Sequence, residues 1–324
     1  MYSQKKLSQY FEKALAKMNF CGVPAQLYKP IEYSLKMEGK RIRPVLTLMG
    51  CSLFDEDISK ALPQAIAIEL FHNFTLIHDD IMDNAPVRRG QKTVFKKWGQ
   101  NTAILSGDTL FAKAYQYAQK ADKNHLADIL SVFSKTAIEV CEGQQLDLEF
   151  EKRDDVLVEE YIEMIKLKTG VLFAASLIIG AHIGNAPKED AENLYNFGLS
   201  IGVGFQLKDD LLDTYGNMNV FGKQTGLDIV TNKKTFLYLD ALEKADANTR
   251  KDLIRLYSEP KPDNEAKIAT VKKYFSELEV DKDTNKLIDK YFNDSMGYLN
   301  KVNIEPERKA ELKLLAENMI KRVK

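Results

Sequence analysis

Apolar residues recur every three or four positions along nearly the whole chain, as in Leu7, Phe11, Leu15 and Met18, or Leu105, Leu110, Ala114 and Tyr117. That is the period of an amphipathic α-helix. Strict apolar–polar alternation, the mark of a half-buried strand, is hard to find. Helix-breaking residues are sparse, with nine prolines and 17 glycines. Pro24, Pro30, Pro44, Pro63, Pro86, Pro187, Pro260 and Pro262 are expected between helical stretches. The pattern predicts an all-α protein of long helices joined by short loops.

Three stretches refine this picture. Met1 to Phe20 mixes charge with apolar residues, so it reads as an amphipathic helix rather than a signal peptide. Val171 to Ile183 is the longest apolar run; it falls short of the roughly 20 residues a membrane span needs and is expected to be a buried helix. Ser258 to Glu265 gathers Pro, Asp, Asn and charge, as an exposed loop does. Helical composition is similar on both sides of that loop, and no repeat is visible, so residues 1–324 are read as a single domain.

The 324 residues are 44% hydrophobic and 29% charged, ordinary for a globular chain with a large core. Lys and Arg number 46 against 47 Asp and Glu, and the net charge of −1 provides no general pull toward nucleic acid or an anionic membrane. Any basic site must be local. Cys21, Cys51 and Cys141 lack metal-ligand spacing and read as free thiols of a cytoplasmic protein.

Chemistry enters with a motif that occurs twice. His78-Asp79-Asp80-Ile81-Met82-Asp83 and Lys208-Asp209-Asp210-Leu211-Leu212-Asp213 both read DDxxD. On a helix the outer aspartates lie about 40° apart and the middle one falls within the same arc of roughly 100°. Like charges so placed repel unless a cation neutralises them. Magnesium is the natural one, since it takes one or two carboxylates together with phosphate oxygens and water. One acidic triplet is more often a solvated helix face; two copies, each set among apolar residues, argue otherwise. The stripes extend through His72 and Leu76 in the first copy and Gln206 in the second.

Basic residues accompany both copies. Gly39-Lys40-Arg41-Ile42-Arg43-Pro44 precedes the first and Pro86-Val87-Arg88-Arg89-Gly90 follows it. Gly222-Lys223-Gln224-Thr225-Gly226-Leu227-Asp228 and Asn232-Lys233-Lys234-Thr235 follow the second. Each alone reads as surface charge; together they suggest phosphate forks. Lys168, before Thr169-Gly170 and the buried run, would be costly without an anion nearby.

Taken in order, GKRIRP, FHNFTLIHDDIMDNAPVRRG, KTG, GFQLKDDLLD, GKxxGxD and NKKT resemble the trans-type prenyl diphosphate synthases from about Gly39 to Thr235. The resemblance implies a single-domain bundle of mostly antiparallel helices around a deep central cavity, the isoprenoid synthase type I fold, and a homodimer. It implies condensation of isopentenyl diphosphate with an allylic diphosphate, assisted by Mg2+, three ions per active site. Asp79, Asp83 and Asp209 are then the direct magnesium ligands, with Asp80, Asp210 and Asp213 supporting them or binding through water. Arg88, Lys168, Lys223 and Lys233 would hold the allylic diphosphate. Gly39, Lys40, Arg43, His72 and Arg89 would bind isopentenyl diphosphate, and Thr169 and Gln206 would line the region where the cation develops. Asn232 stands where many relatives have glycine. The basic end, Met319 to Lys324, is similar to a tail that closes some relatives, although a lysine-rich last turn is also expected from the helix dipole.

Within the family, an aromatic five positions before the first aspartate accompanies short products. Phe74 is that residue, with Phe71 one turn further along the stripe and Thr75 beside it, and a C20 product is expected with C15 as the alternative. Two rivals are a class I terpene cyclase, which lacks a second all-aspartate motif, and a non-catalytic regulatory subunit, which tends to lose these aspartates.

Overall fold

The computed structural model describes residues 2–216, 226–258 and 264–321, and these are helical almost throughout. In chain order the helices are α1 (Gln4–Ala16), α2 (Ala25–Lys36), α3 (Ile42–Ser52), α4 (Leu62–Met82), α5 (Val94–Trp98), α6 (Gln100–Ala118), α7 (Leu126–Phe150), α8 (Val158–Ile165), α9 (Val171–Ile183) and α10 (Lys188–Tyr215). They continue with α11 (Leu227–Val230), α12 (Phe236–Lys244), α13 (Ala247–Ser258), α14 (Asn264–Glu277), α15 (Val280–Lys301) and α16 (Pro306–Lys321).

The chain divides into two compact units. One comprises Met1–Lys135, Ala175–Tyr195 and Val302–Leu312; the other comprises Thr136–Ala174, Asn196–Lys301 and Lys313–Lys324. In the first, α4 packs along α6 and against α3, and α1 lies on α3. The amphipathic reading of the N-terminus holds, since Leu7, Phe11 and Leu15 are the buried stripe of α1. In the second, Tyr161, Leu207, Ile229, Leu237, Phe275 and Ile288 belong to one apolar core.

Three features differ from the sequence expectation. Pro30 lies inside α2, and Pro44 and Pro63 lie in the first turns of α3 and α4, where the missing N–H has no intrahelical partner to lose. A two-residue antiparallel hairpin, β1 (Val87–Arg88) with β2 (Gln91–Lys92), interrupts the helices. It is too short to show alternation. The apolar run also starts earlier than Val171: α8, a single π-turn at Lys166–Gly170 and α9 form one continuous helix, Val158–Ile183. By length and composition that helix would suffice to cross a membrane, but 83% of its apolar window is buried inside the fold, as in a core helix. Lys223 in the GKxxGxD stretch, residues 259–263 of the expected loop and Arg322 to Lys324 of the basic end lie outside the described residues.

Candidate functional site

In the first unit the aspartate motif occupies the last turn of α4, and Asp83 is its C-cap. Asp80 is buried, Asp79 is half-buried and Asp83 is exposed. Burial pushes the Asp80 carboxyl up to about 6, against the pull of Arg88. The hairpin supplies that arginine. Arg89 and Gly90 form its two-residue turn at φ 53° and 74°, and positive φ at both central positions is what a tight hairpin demands. The turn sends the two arginines to different places. Arg88 donates from Nε to Asp80 at 2.7 Å and from Nη2 to Asp79 at 3.0 Å. Arg89 lies beside Gly39, where an added Cβ would come within 2.7 Å of Nη1. Glycine at 39 therefore leaves the space that the Arg89 guanidinium fills.

Around Arg89 stand Arg43 and His72. Arg43 Nη1 lies 3.2 Å from His72 Nε2. Burial lowers the His72 pKa well below the usual imidazole range, and Arg43, Arg89, Arg88 and Arg41 lower it further. A neutral imidazole among guanidinium groups leaves a strongly cationic patch, and an anion is its complement. Lys40 is exposed beside it. Arg41 is different: it is buried in a left-handed conformation at φ 47° and binds Glu69, Glu12 and the carbonyls of Leu35 and Met37. It anchors the loop that carries Lys40 and Arg43.

In the second unit Lys168 and Thr169 sit on the π-turn. Such turns are frequent at functional sites because they re-aim side chains out of helical register. Two glycines hold it: a Cβ at Gly143 would collide with the backbone of Lys168, and one at Gly202 would come within 2.7 Å of the Gly170 Cα. Lys168 and Lys233 both donate to the same oxygen of Asp147, at 2.7 and 3.2 Å, and Lys233 also reaches Glu151 at 2.9 Å. Burial alone would raise the Asp147 pKa, but the two lysines outweigh it and hold it low. The anion that Lys168 required is thus supplied by the protein itself. Nothing in the sequence reading singled out Asp147. Replacing it, Asp147→Asn, should raise KM for a diphosphate substrate about tenfold while kcat changes less, since a charge-assisted hydrogen bond contributes about 1.5 kcal/mol or more. A KM equal to that of the wild type in steady-state assays would mean the lysines orient themselves.

The second aspartate motif lies near the end of α10. Asp210 is buried and held at both oxygens: Tyr161 donates to Oδ2, and Gln206 Nε2 donates to Oδ1 at 3.0 Å. Gln206 in turn accepts from Thr169 Oγ1 at 3.0 Å. Burial raises the Asp210 pKa, partly offset by those two donors and reinforced by Asp209 and Asp213. Asp209 and Asp213 are half-buried. Asp213 Oδ2 accepts from the backbone N–H of Asp228 at 3.0 Å, and burial together with Asp213 and Asp210 lifts the Asp228 pKa well above the carboxylate range. Asp209 and Asp213 add their repulsion to the burial of Asp210, and a cation beside the three carboxylates would relieve that repulsion.

Among the described residues no three His, Cys, Asp or Glu side chains are grouped as a ready-made metal cage. The carboxylates of each motif are instead strung along one turn, all hard oxygen donors, with guanidinium or ammonium groups in the same unit. That set suits magnesium, which is usually shared with phosphate oxygens and water rather than enclosed by protein.

Further along α4, Phe71 and Phe74 belong to an aromatic cluster. The Phe74 ring lies 5.0 Å from Phe111 of α6 and 4.7 Å from His78, and Phe71 lies 5.6 Å from Phe74 and 5.5 Å from Phe133 of α7. Tyr115 closes the group, 5.2 Å from Phe111 and 5.0 Å from Phe133. Thr75 bonds its own helix, donating to the His72 carbonyl at 2.8 Å. Sequence spacing found the two aromatics on α4; those on α6 and α7 meet them only through tertiary packing.

A polyprenyl synthetase family model matches residues 24–275. A geranylgeranyl diphosphate synthase of Methanosarcina mazei is 42% identical over 242 residues, 74% of this chain and 75% of its own. A geranylfarnesyl diphosphate synthase of Natronomonas pharaonis is 41% identical over 239 residues, 68% of this chain and 70% of its own. The crystal structure of a geranylgeranyl pyrophosphate synthase superposes with a TM-score of 0.95 at 41% identity, covering 99% of both chains.

Proposed function

Because the chain belongs to the polyprenyl synthetase family, whose members are prenyltransferases of all-α isoprenoid synthase fold, we propose that it is a short-chain trans-prenyl diphosphate synthase making geranylgeranyl diphosphate. The observation that carries this reading is the pairing of Arg88 with both Asp79 and Asp80. An arginine that neutralises two carboxylates of the motif is in place to take a phosphate oxygen once a divalent cation satisfies those carboxylates.

Asp79, Asp83 and Asp209, with Asp80, Asp210 and Asp213 in support, would hold three magnesium ions, which when bound would supply the Lewis-acid charge that assists departure of a diphosphate. Arg88, Lys168, Lys223 and Lys233 grip the leaving diphosphate. Gly39, Lys40, Arg43, His72 and Arg89 would hold isopentenyl diphosphate, and the lowered pKa of His72 favours an uncharged ring beside the arginines. The Thr169 hydroxyl donates to the Gln206 carbonyl and the Gln206 amide N–H donates to Asp210, so the two side chains would present oriented dipoles to the developing cation. The isopentenyl double bond attacks the allylic carbon, and the proton then lost passes to the departing diphosphate. The working form is proposed to be a cytoplasmic homodimer.

The test is to incubate purified protein with radiolabelled isopentenyl diphosphate and C5, C10 or C15 allylic starters, with and without magnesium. Chain-extended products ending at C20 are expected only with the metal. Hydrocarbon rather than diphosphate products would favour a cyclase instead.

A further inference from the structure

Lys267 on α14 is buried, at 4% exposure, although residues 264–266 just before it are exposed. Its ammonium donates to the side-chain carbonyl of Asn232 and lies 5.1 Å from the centroid of the Tyr257 ring, which stacks on Tyr238 at 3.9 Å. Taking an ammonium out of water is costly unless it is well held. The residue it grips sits at a critical point of the backbone.

Asn232 ends the short helix α11 in the left-handed region, at φ 62°. Its N–H bonds the Ile229 carbonyl at 3.3 Å, and the next N–H, that of Lys233, bonds the Asp228 carbonyl at 2.9 Å. This is the helix cap in which glycine is usual and asparagine the common substitute. The backbone thus explains why asparagine can stand where relatives have glycine. It does not explain what the side chain does. Glycine would satisfy φ and offer Lys267 nothing, whereas asparagine ties the cap to α14. The chain leaves that cap directly into Lys233, whose ammonium goes to Asp147 and Glu151.

Resting on the diphosphate-binding reading of Lys233, we propose that Lys267 is a positioning residue for that lysine, acting through the Asn232 side chain. Lys267 fixes Asn232, Asn232 fixes the turn, and the turn aims Lys233 at the diphosphate. The Tyr257 ring, stacked on Tyr238, lies against the ammonium, and all of these residues belong to the second unit.

The experiment is calorimetric binding of inorganic pyrophosphate with magnesium to the full chain, alongside steady-state kinetics. Asn232→Gly, which keeps the backbone conformation, and Lys267→Met should each weaken pyrophosphate about fivefold, in the range expected for the net contribution of one intramolecular hydrogen bond. The double variant should be no worse than either single one, because both remove the same link. Asn232→Asp, which retains an acceptor and tolerates the left-handed backbone, should restore affinity. KM for the allylic diphosphate should rise with KM for isopentenyl diphosphate unchanged. Wild-type affinity in Asn232→Gly, or additive losses in the double variant, would overturn the inference alone. Pyrophosphate that fails to bind even the wild type would overturn the diphosphate reading and this inference with it.

Discussion

Asp79→Ala and Asp209→Ala are each expected to lower kcat about a thousandfold, or roughly 4 kcal/mol of transition-state stabilisation, and chelation of magnesium should abolish turnover in the wild type. The size follows from what these two carboxylates do in the proposed reaction. Each helps fix cation charge at the leaving diphosphate, where negative charge develops in the transition state, and such electrostatic terms are large in a site shielded from water. Asp80 and Asp210 are buried and already engaged, one by Arg88 and the other by Tyr161 and Gln206. Their amide replacements should cost less in kcat and more in thermal stability.

A second readout separates loss of metal binding from loss of fold. Without ligand, Asp79→Ala should melt within about 1 kcal/mol of the wild type, because removing one member of a like-charged cluster relieves repulsion while Arg88 keeps Asp80. With magnesium and pyrophosphate at a hundred times their dissociation constant, the wild type should gain about 2.7 kcal/mol of stability and the variant much less. An Asp79→Ala enzyme with undiminished turnover would end the assignment of Asp79 as a ligand.

The helices and both aspartate turns were legible in the sequence because their signals are local. A 3.6-residue period and a five-residue motif need no knowledge of the rest of the chain. The same holds for Arg88 and Arg89 as residue types, but their divergence was not readable. It comes from a hairpin whose strands are two residues long, and only the Arg89-Gly90 turn fixes which guanidinium meets Asp79 and which meets Gly39. Asp147 escaped for a different reason. Its partners Lys168 and Lys233 reach it from elements distant in sequence, and a lone aspartate on α7 carries no pattern of its own. Asn232 was visible as a departure from the family, yet its meaning required the backbone angle and the buried lysine.

Removing two aromatic rings at once, Phe74→Ala with Phe111→Ala, should move the main product from C20 to a chain one or two five-carbon units longer. Overall similarity does not settle product length: relatives at 42% and 41% identity are a geranylgeranyl and a geranylfarnesyl diphosphate synthase. In the proposed reading local bulk along α4 sets it, and here that bulk is a cluster rather than one side chain. Phe74 alone is an incomplete floor, because Phe111 at 5.0 Å and Phe71 at 5.6 Å would still fill the space behind it. Phe74→Ala by itself should therefore lengthen only part of the product. Phe71 is a poor target for the second change: it is fully buried, and Phe→Ala at such a site costs about 3 to 5 kcal/mol. Phe74 and Phe111 are only half-buried, so their loss is better tolerated. His78 keeps its place in the double variant through the Ile104 carbonyl at 3.2 Å, so the neighbouring Asp79 should stay in register and turnover should persist. Mass analysis of the dephosphorylated products gives the answer directly, and a double variant that still stops at C20 would place the length limit outside this cluster.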